Sequence, residues 1–562
     1  MEKKVTTGGN WWDKLGKPQY GGEMVLRVNS NITNYDPYVG GHHFQIYSAW
    51  MEQLQTDDWT TDPAVYDYKI GYGPDRFVKG ELAESWEFPD TSTCVVHLRQ
   101  GIHWQNIAPV NSRELVADDV VYHYHRMYGM GSGFTKPAPG HVTYTAFQNL
   151  ISVTATDKYT VVFKWKTHNI EFIMQSLVGN RSPVQCLEAP EAVQQWKELN
   201  DWHHAVGTGA FILQDYVPGS SATLIRNPNY WGRDERYPQN KLPYVDKIKF
   251  LIIPNDTEAM AAMRRGKIDI IEGLSFQQAQ ALLKTNPELS HFTRLRVSCG
   301  TLDPRNDRPP FNDIRVRKAM QMAIGLPTIA RTYYGGFADP YPQTLTSSHM
   351  QGWGFPYADW PQDLKDEYAY NPEAAKKLLA DAGFPQGFKT NIIANSDDPA
   401  DLLKTLKSHF AAVGIDLEIR LMDNAAWAAA KKNHAYDQML DNISGGPLGL
   451  VNEPLHHLLR FQTGFKVNDP LVSDPVFDAF YPEAMAASSE EQLKKVLRDA
   501  NEHVARQHYS ISLVQPYLFG FTQPWLKGYT GQFGAQINHN QLLSFYLARF
   551  WIDQSVKKSM GY

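Results

Sequence analysis

Residues 309–336 read PPFNDIRVRKAMQMAIGLPTIARTYYGG, and this stretch decides the fold. Its apolar side chains recur at helical spacing and predict an amphipathic helix with one buried stripe, formed by Val316, Ala319, Met320, Ala323 and Ile324. Polar side chains fall mostly outside the stripe, at Arg315, Arg317, Lys318 and Gln321. Asn312 is the predicted helix cap, and Asp313 places a negative charge against the positive end of the helix dipole. Gly325 followed by Pro327 predicts the end of the helix.

Helices and strands alternate on both sides of this stretch. Upstream, Glu23–Val28 predicts a strand and Phe44–Leu54 predicts a helix. Downstream, Asn371 and Pro372 predict the start of another helix, and apolar residues alternate over 415–421 as in a strand. Such alternation predicts an α/β fold with doubly wound sheets.

The spacing of apolar residues changes between residues 61 and 204, where it predicts a mostly β insertion. Apolar residues alternate along 94–98 and again along 161–165, which indicates two strands. Asp118 and Asp119 lie between them at a predicted helix start. Because adjacent residues on a helix point apart, we expect these carboxylates to serve the helix start and not acid–base catalysis.

Length and composition exclude several classes of protein. A chain of 562 residues is too long for one hydrophobic core, so we expect two or three domains. The net charge of -6 gives no reason to expect nucleic acid as a partner. No apolar run approaches the ~20 residues that cross a bilayer. The N-terminal MEKKVTTGGNWW has no apolar core of the kind that signal peptides carry, so we expect a soluble chain without a signal peptide.

No catalytic motif is visible in the chain. It has no G-x-S-x-G elbow, no phosphate-binding G-x-x-x-x-G-K-S/T loop and no H-E-x-x-H motif. The spacing of Cys94, Cys186 and Cys299 fits no metal or redox site, and a disulfide between the first two stays open. Adjacent histidines rarely ligate one metal together, and they occur at 42–43, 203–204 and 456–457. We therefore predict no enzyme activity, no cofactor and no metal.

A long loop, Phe337–Trp360, is rich in proline, glycine and aromatic residues. Loops of this length are usually functional or disordered. Exposed aromatic rings in such a loop would suit stacking on a sugar ring or enclosing a side chain. We therefore predict ligand contacts for Tyr341, Trp353, Tyr357 and Trp360.

An ordered set of motifs runs through most of the chain. In chain order they are ELAESWEF at 81–88, HLRQGIHW at 97–104, ADDVVYHYHRM at 117–127, RNPNYWG at 226–232, LPYVDKIKF at 242–250, GKIDII at 266–271 and YNPEAAKKLLADAGFPQGF at 370–388. Together with residues 309–336, these motifs resemble the family 5 extracellular solute-binding proteins. That family serves ABC importers of peptides, oligosaccharides and nickel complexes.

The resemblance implies an α/β fold that forms a two-lobed periplasmic-binding-protein clamp of the class II type, with an extra β-rich subdomain inserted in the first lobe. We expect a polar tail at 1–20 and the extra subdomain at 61–204. The first lobe would combine 21–60, 205–298 and 530–562, and the second lobe would span 299–529. Two crossings between the lobes would make a hinge.

The most informative departure from the family lies in YDQMLDNISGGPLGLVNEP at 436–454. Oligopeptide-binding members carry here an Arg, a Trp and an Asp, and the Asp receives the α-ammonium group of the peptide because a desolvated cation requires a paired anion. Alignment on Asn452 places Leu450 in the Asp position, and alignment on the start of the stretch places Leu440 and Ile443 in the Arg and Trp positions. Asp441 or Asn442 would have to substitute.

The remaining ligand contacts are expected in three loops. Asn31 and His43 lie in the β-loop-α opening of the first lobe, where an α/β sheet places its ligand. Thr208 lies between Gly207 and Gly209, which are predicted to allow close backbone approach near the cleft. Asn452 completes the predicted set, with Asp441 and Asn442.

The resemblance implies the extracytoplasmic substrate-binding component of an ABC importer, which captures an oligopeptide or similar oligomeric solute in an interlobe cleft. The expected partners are a membrane permease and an ATPase, with the protein itself a monomer in the periplasm or at the extracellular face of the membrane, and open to lipid anchoring. An oligosaccharide is the alternative ligand, favoured by the absent peptide anchors. Competitors from other classes are an extracellular hydrolase of glycans or peptides and a sensory clamp receptor.

Overall fold

The structure, a computed structural model, describes residues 9–38, 46, 49–69, 74–138, 150–166, 185–296, 300–346, 350, 352–444, 454–532 and 543–562. The chain divides into two compact units. In the described part, the first unit comprises residues 9–166, 185–294 and 519–562, and the second comprises residues 295–518, both with the gaps given above. No helix among these residues is long and apolar enough to span a bilayer.

The strands are β1 (Glu23–Val28), β2 (Gln55–Asp57), β3 (Val78–Gly80), β4 (Ala83–Asp90), β5 (Thr93–Leu98), β6 (Leu150–Asp157), β7 (Thr160–Trp165), β8 (Phe211–Val217), β9 (Ser221–Arg226), β10 (Lys247–Ile252), β11 (Ile270–Leu274), β12 (Ser290–Leu295), β13 (Thr301–Pro304), β14 (Ala338–Asp339), β15 (Phe388–Asn395), β16 (Ile415–Met422), β17 (Met439–Asn442), β18 (Ile511–Ser512), β19 (Gln515–Thr522), β20 (Leu526–Lys527) and β21 (Trp551–Ile552).

The α-helices are α1 (Ala117–Tyr128), α2 (Pro190–Trp196), α3 (Asp256–Arg264), α4 (Phe276–Thr285), α5 (Ile314–Met322), α6 (Leu326–Thr332), α7 (Gln362–Tyr368), α8 (Pro372–Asp381), α9 (Ala400–Ala411), α10 (Asn424–Lys432), α11 (Pro454–His457), α12 (Pro475–Ala486), α13 (Glu490–Gln507), α14 (Leu543–Arg549) and α15 (Gln554–Ser559). Short 3-10 helices lie at Trp11–Leu15, Asp75–Phe77, Trp202–His204 and Tyr357–Asp359.

The second unit is built on a five-stranded sheet in the order β16-β15-β17-β13-β18. Strand β15 pairs in parallel with β16 and β17, whereas β13 pairs antiparallel with β17 and β18. Apolar residues of α5, α8 and α9 form one buried cluster with those of β15 and β16. A smaller cluster joins Trp427 of α10 to Ile393 and Leu440 of the sheet. Helix α10 and the larger helical group thus both pack on sheet residues.

Helix α5 is the helix predicted from residues 309–336. The five predicted stripe residues are completely buried, although Ala323 and Ile324 come after the last residue of α5. The cap differs from the prediction. Asp313 is the residue before the first helical turn, and its carboxylate accepts a hydrogen bond from the backbone N–H of Arg315. Asn312 is exposed and lies one residue too early to cap the helix.

Two polar residues of α5, predicted to fall outside the buried stripe, are also buried. The guanidinium of Arg317 donates to the carbonyl groups of His508 at 3.0 Å and Phe311 at 2.6 Å. The side chain of Gln321 bonds both backbone groups of Ser512. Their burial is possible because these partners satisfy the polar groups.

The first unit contains two larger sheets. In β1-β10-β9-β8, strands β1 and β10 run parallel and the other pairs are antiparallel. The sheet β4-β5-β7-β6 is antiparallel throughout and falls within residues 61–204, where the sequence predicts a β-rich insertion. The thiols of Cys94 and Cys186 are both buried and free, so no disulfide joins them.

Among the described residues, the chain passes from one unit to the other inside two strands, β12 and β19. On the first-unit side, Thr522 and Phe521 of β19 pair with β11. On the second-unit side, Pro516 pairs with Ala338 of β14. The second passage, at residues 518–519, comes before the predicted boundary at 529–530.

The predicted helix Phe44–Leu54 is wrong over its described C-terminal part. Residues 49–50 form a turn, and residues 51–53 have no regular structure. Their carbonyl groups bind other segments instead of a helical ladder. The carbonyl of Trp50 accepts the N–H of Gly209 at 2.8 Å, and the carbonyl of Leu54 accepts the N–H groups of Glu81 and Ala83 at 2.9 and 3.0 Å.

Candidate functional site

A cavity of about 520 Å³ lies in the second unit. Its wall is the loop that follows β14 and leads to α7, closed on one side by Arg498 of α13. This is the described part of the loop in which the sequence predicts aromatic ligand contacts. Asn501 of α13 fixes the loop, because its side-chain oxygen accepts the backbone N–H of Thr346 at 3.0 Å and the Thr346 hydroxyl at 3.2 Å.

Two of the four predicted aromatic residues line this cavity. Tyr341 is 51% exposed, and its ring stacks on Tyr357 with the ring centroids 4.8 Å apart and the planes 22° from parallel. Tyr357 in turn contacts Trp360 at 5.2 Å, and Trp360 contacts Tyr368 at 5.0 Å. Tyr368 stacks on the buried ring of His508 at 4.4 Å. The five rings form an aromatic column with a buried end at His508 and an open end at Tyr341.

The other two predicted aromatic residues are buried and do not line the cavity. Trp353 has no exposed surface, and the ammonium group of Lys494 lies 5.0 Å from its ring. Trp360 is 3% exposed, and its indole N–H donates to the carbonyl of Phe355 at 2.9 Å. Their position supports the loop from behind and leaves no ring face for a ligand, which corrects the expectation of direct contact.

The polar groups of the cavity are mostly engaged with one another. One carboxylate oxygen of Asp339 accepts the backbone N–H of Tyr341 at 3.0 Å, and the other accepts the side-chain amide of Gln343 at 3.4 Å. Burial raises the pKa of Asp339, an effect that the Tyr341 hydrogen bond opposes. At the rim, Arg498 pairs with Asp359 at 3.4 Å. Sequence patterns do not single out either charged wall residue, because Asp339 ends a two-residue strand and Arg498 has the pattern of a solvated helix face.

A second polar cluster lies at the end of β17 and contains the predicted Asn442. Its side-chain N–H₂ donates to the carboxylates of Asp303 at 2.5 Å and Asp469 at 3.0 Å. Its oxygen accepts the ammonium group of Lys431 at 2.6 Å. Asn442 is completely buried, so these three partners use its hydrogen-bonding groups within the unit.

The neighbouring Asp441 is completely buried as well. Burial raises the pKa of its carboxyl to about 8, with the charge of Asp398 as the next largest cause. The raised pKa and the complete burial of Asp441 favour the uncharged carboxyl and argue against a role as an exposed anchor for a peptide ammonium group. Leu440 and Ile443, which stand in the family's Arg and Trp positions, belong to the apolar core. Asn452 and Leu450 lie outside the described residues.

The candidates in the first unit have structural partners. Asn31 is exposed, and its side-chain oxygen accepts the backbone N–H of Gly219 at 2.5 Å, at the turn between β8 and β9. Thr208 is 2% exposed, and its hydroxyl lies beside the buried carboxyl of Glu52. A Cβ on Gly207 would stand 2.0 Å from the carbonyl oxygen of Trp50, so the predicted close backbone approach exists. His43 lies outside the described residues.

Glu52 connects this glycine segment to the motif RNPNYWG. Its carboxyl accepts the hydroxyl of Tyr230 at 2.7 Å and the indole N–H of Trp231 at 3.0 Å. Burial raises the pKa of Glu52. The motif therefore has a packing role in the first unit. Within the described residues, no group of three or more His, Cys, Asp or Glu side chains is arranged to hold a metal ion.

The chain is similar to known proteins in both sequence and structure. Residues 78–454 match the profile of the bacterial extracellular solute-binding proteins, family 5 Middle. The chain is 25% identical over 470 residues to heme-binding protein A of Haemophilus influenzae, covering 80% of this chain and 81% of the relative. It is 23% identical over 473 residues to the periplasmic oligopeptide-binding protein OppA of Escherichia coli, covering 78% and 81%.

A solved structure shares the fold over nearly the whole chain. The ABC transporter-associated periplasmic binding protein DppA from Helicobacter pylori, in complex with the peptide STSA, superposes with a TM-score of 0.72. The identity is 20%, and the match covers 95% of this chain and 99% of that protein. The α/β fold expected from the sequence is therefore that of the two-lobed periplasmic binding proteins.

Proposed function

Because this chain belongs to the bacterial extracellular solute-binding proteins of family 5, we propose that it captures an oligopeptide or similar oligomeric solute for an ABC importer. The observation that carries the proposal is the extent of the family match. It runs from residue 78 to residue 454, and so it includes parts of both compact units. Capture in an interlobe cleft, with a permease and an ATPase as partners, is part of the proposal.

The protein is proposed to bind its solute without altering it. The relatives with which it shares most of its length are binding proteins by name. A ligand can favour a closed form only if it interacts better with that form than with the open one, and this needs no chemistry on the ligand. We further propose a monomer that acts outside the cytoplasmic membrane, with lipid anchoring as an additional expectation.

The ligand class is proposed from the relatives and weighed against the site. A peptide is supported by the oligopeptide-binding relative. An oligosaccharide is the second candidate, supported by the buried apolar side chains of Leu440 and Ile443, which stand where the resemblance places two of the family's peptide anchors, and by the burial of Asp441. A neutral polyhydroxylated ligand does not need such anchors.

Thermal-shift screening of the full chain against defined oligopeptide and oligosaccharide pools tests the proposal. A ligand at a hundred times its dissociation constant stabilises the folded protein by about 2.7 kcal/mol, which raises the melting temperature measurably. We expect stabilisation by one pool and recovery of the ligand intact by mass spectrometry. Conversion of the ligand to product would support the hydrolase, and stabilisation by neither pool would contradict the proposal.

A further inference from the structure

We propose that the cavity of the second unit is a subsite for a flat, uncharged aromatic ring, which stacks on the open face of Tyr341. The inference rests on the proposed function, because the ring would belong to a side chain of the captured oligopeptide. The site lies wholly within the second unit. Its volume of about 520 Å³ falls within the roughly 300–1,000 Å³ of small-molecule sites.

The aromatic column holds the ring of Tyr341 in place before any ligand binds. Trp360, Tyr368 and His508 are buried and hold the column from its inner end. One face of Tyr341 is covered by Tyr357 at 4.8 Å, and the ring remains 51% exposed. Offset stacking with centroids about 4.5–7 Å apart is the preferred arrangement of aromatic pairs, and an incoming ring can continue it. A surface that is already ordered loses little conformational entropy on binding.

The rest of the wall favours an uncharged ring. Apolar residues also line the cavity, at Pro342, Met350, Phe355, Pro356 and Ala358. The charged wall residues already have partners, Arg498 with Asp359 at 3.4 Å and Asp339 with the backbone N–H of Tyr341 at 3.0 Å, so a charged ligand group would have to compete with them. An aromatic side chain buries apolar area here and needs no hydrogen-bond partner.

The same wall suits a sugar ring less well. Sugar hydroxyl groups require hydrogen-bond partners when they are buried. The hydroxyl of Thr346 already bonds Asn501 at 3.2 Å, and the side-chain amide of Gln343 already bonds Asp339 at 3.4 Å. These contacts use the proton of the Thr346 hydroxyl and one amide N–H of Gln343, so they leave a polyhydroxylated ligand fewer free donors, whereas an aromatic ring needs none.

The test uses the full chain and N-acetyl-L-phenylalanine amide, an uncharged probe that carries the ring without peptide termini. Its dissociation constant is measured by NMR titration on the wild type, Tyr341→Ala and Tyr341→Phe. We expect Tyr341→Ala to weaken binding about tenfold and Tyr341→Phe to stay within about twofold, because the second keeps the stacking face. Tyr370→Ala is the matched control, since Tyr370 is 53% exposed in the same unit and does not line the cavity.

Equal binding by the wild type and Tyr341→Ala, or no binding of the probe to the wild type, overturns the subsite. Binding of methyl β-D-glucoside in place of the probe also overturns it and favours a sugar ring. Melting temperatures of all variants show whether each is folded. A thermal shift with oligopeptides separates the two proposals. If peptides stabilise the protein and the probe does not bind, only the subsite is wrong; if the probe binds at Tyr341 and no peptide does, the subsite stands and the peptide function is wrong.

Discussion

At the scale of single residues, His508 shows how the second unit uses a buried polar group. It follows α13 with φ at +49°, the left-handed conformation that favours glycine. Its ring is completely buried against Tyr368, and its Nε2 lies 3.1 Å from a carboxylate oxygen of Glu367, which Lys318 also contacts. A non-glycine residue is kept here because its ring contacts more than offset the backbone strain.

The pH dependence of stability tests this account of His508. Burial lowers the pKa of the imidazole to about 4, so the folded state holds it neutral while the unfolded state takes up a proton near its ordinary pKa of about 6.5. The contribution of His508 to the free energy of unfolding should therefore fall as pH drops from about 6.5 to about 4, by up to about 1.4 kcal/mol per pH unit. His508→Gln should reduce this slope in urea unfolding. His203→Gln, at a side chain 64% exposed, should leave it unchanged; equal slopes in wild type and His508→Gln would contradict the account.

The carboxyl of Asp441 predicts a pH dependence of stability with the opposite sign. Its pKa of about 8 lies above the ordinary value of about 3.9, so the folded state binds a proton that the unfolded state has lost. The contribution of Asp441 to the free energy of unfolding should fall as pH rises from about 4 to about 8 and then level off. Asp441→Asn keeps an uncharged group there and should flatten the decline. Asp437→Asn, at an exposed carboxylate, serves as control; an undiminished decline in Asp441→Asn would show that the carboxyl is ionised in the fold.

The sequence predicts only part of which aromatic rings of the loop after β14 line its cavity. Tyr341 and Tyr357 do line a cavity, as a long aromatic loop suggests. Trp353 and Trp360 have the same sequence context but lie inside, because only tertiary packing decides which rings of a loop turn inward. The resemblance places Leu440 and Ile443 in the family's Arg and Trp positions, whereas the burial of the Asp441 carboxyl beside Asp398 depends on tertiary structure and does not follow from the sequence.

At the scale of elements, the structure differs from the sequence-based prediction at the N-terminal cap of α5. Asp313 accepts the N–H of Arg315, whereas Asn312 is exposed. Replacing an N-cap Asp with Ala costs about 1 kcal/mol of the free energy of unfolding. Asp313→Ala should therefore be destabilised by about that amount, and Asn312→Ala by only a few tenths. Urea unfolding of both variants measures the difference, and a larger loss in Asn312→Ala would restore the original prediction.

Elements with strong periodicity are predictable in this chain, and those shaped by distant partners are not. Helices α5, α8 and α9 and strand β16 follow directly from their apolar spacing. Strand β19 does not follow from the sequence because Pro516 and Gly520 interrupt its pattern. In the structure Pro516 pairs with Ala338 of β14, and Gly520 leaves room for the ring of Phe292. The segment at 49–54 has helical spacing, yet its carbonyl groups bind Gly209, Glu81 and Ala83.

At the scale of the whole molecule, the family match and the division into two units support one kind of activity. The match includes parts of both units, and among the described residues the chain passes between them inside two strands, β12 and β19. A solute-binding protein holds its ligand and passes it on, so we expect the ligand to be released chemically unchanged.

Native mass spectrometry of the full chain after incubation with a defined oligopeptide mixture tests that claim most directly. We predict one peptide per chain, retained at its original mass and released unchanged on denaturation, with a second incubation in oligosaccharides giving no bound species. Recovery of shortened peptides would contradict a binding function, and a chain that retains only an oligosaccharide would contradict the proposed ligand class.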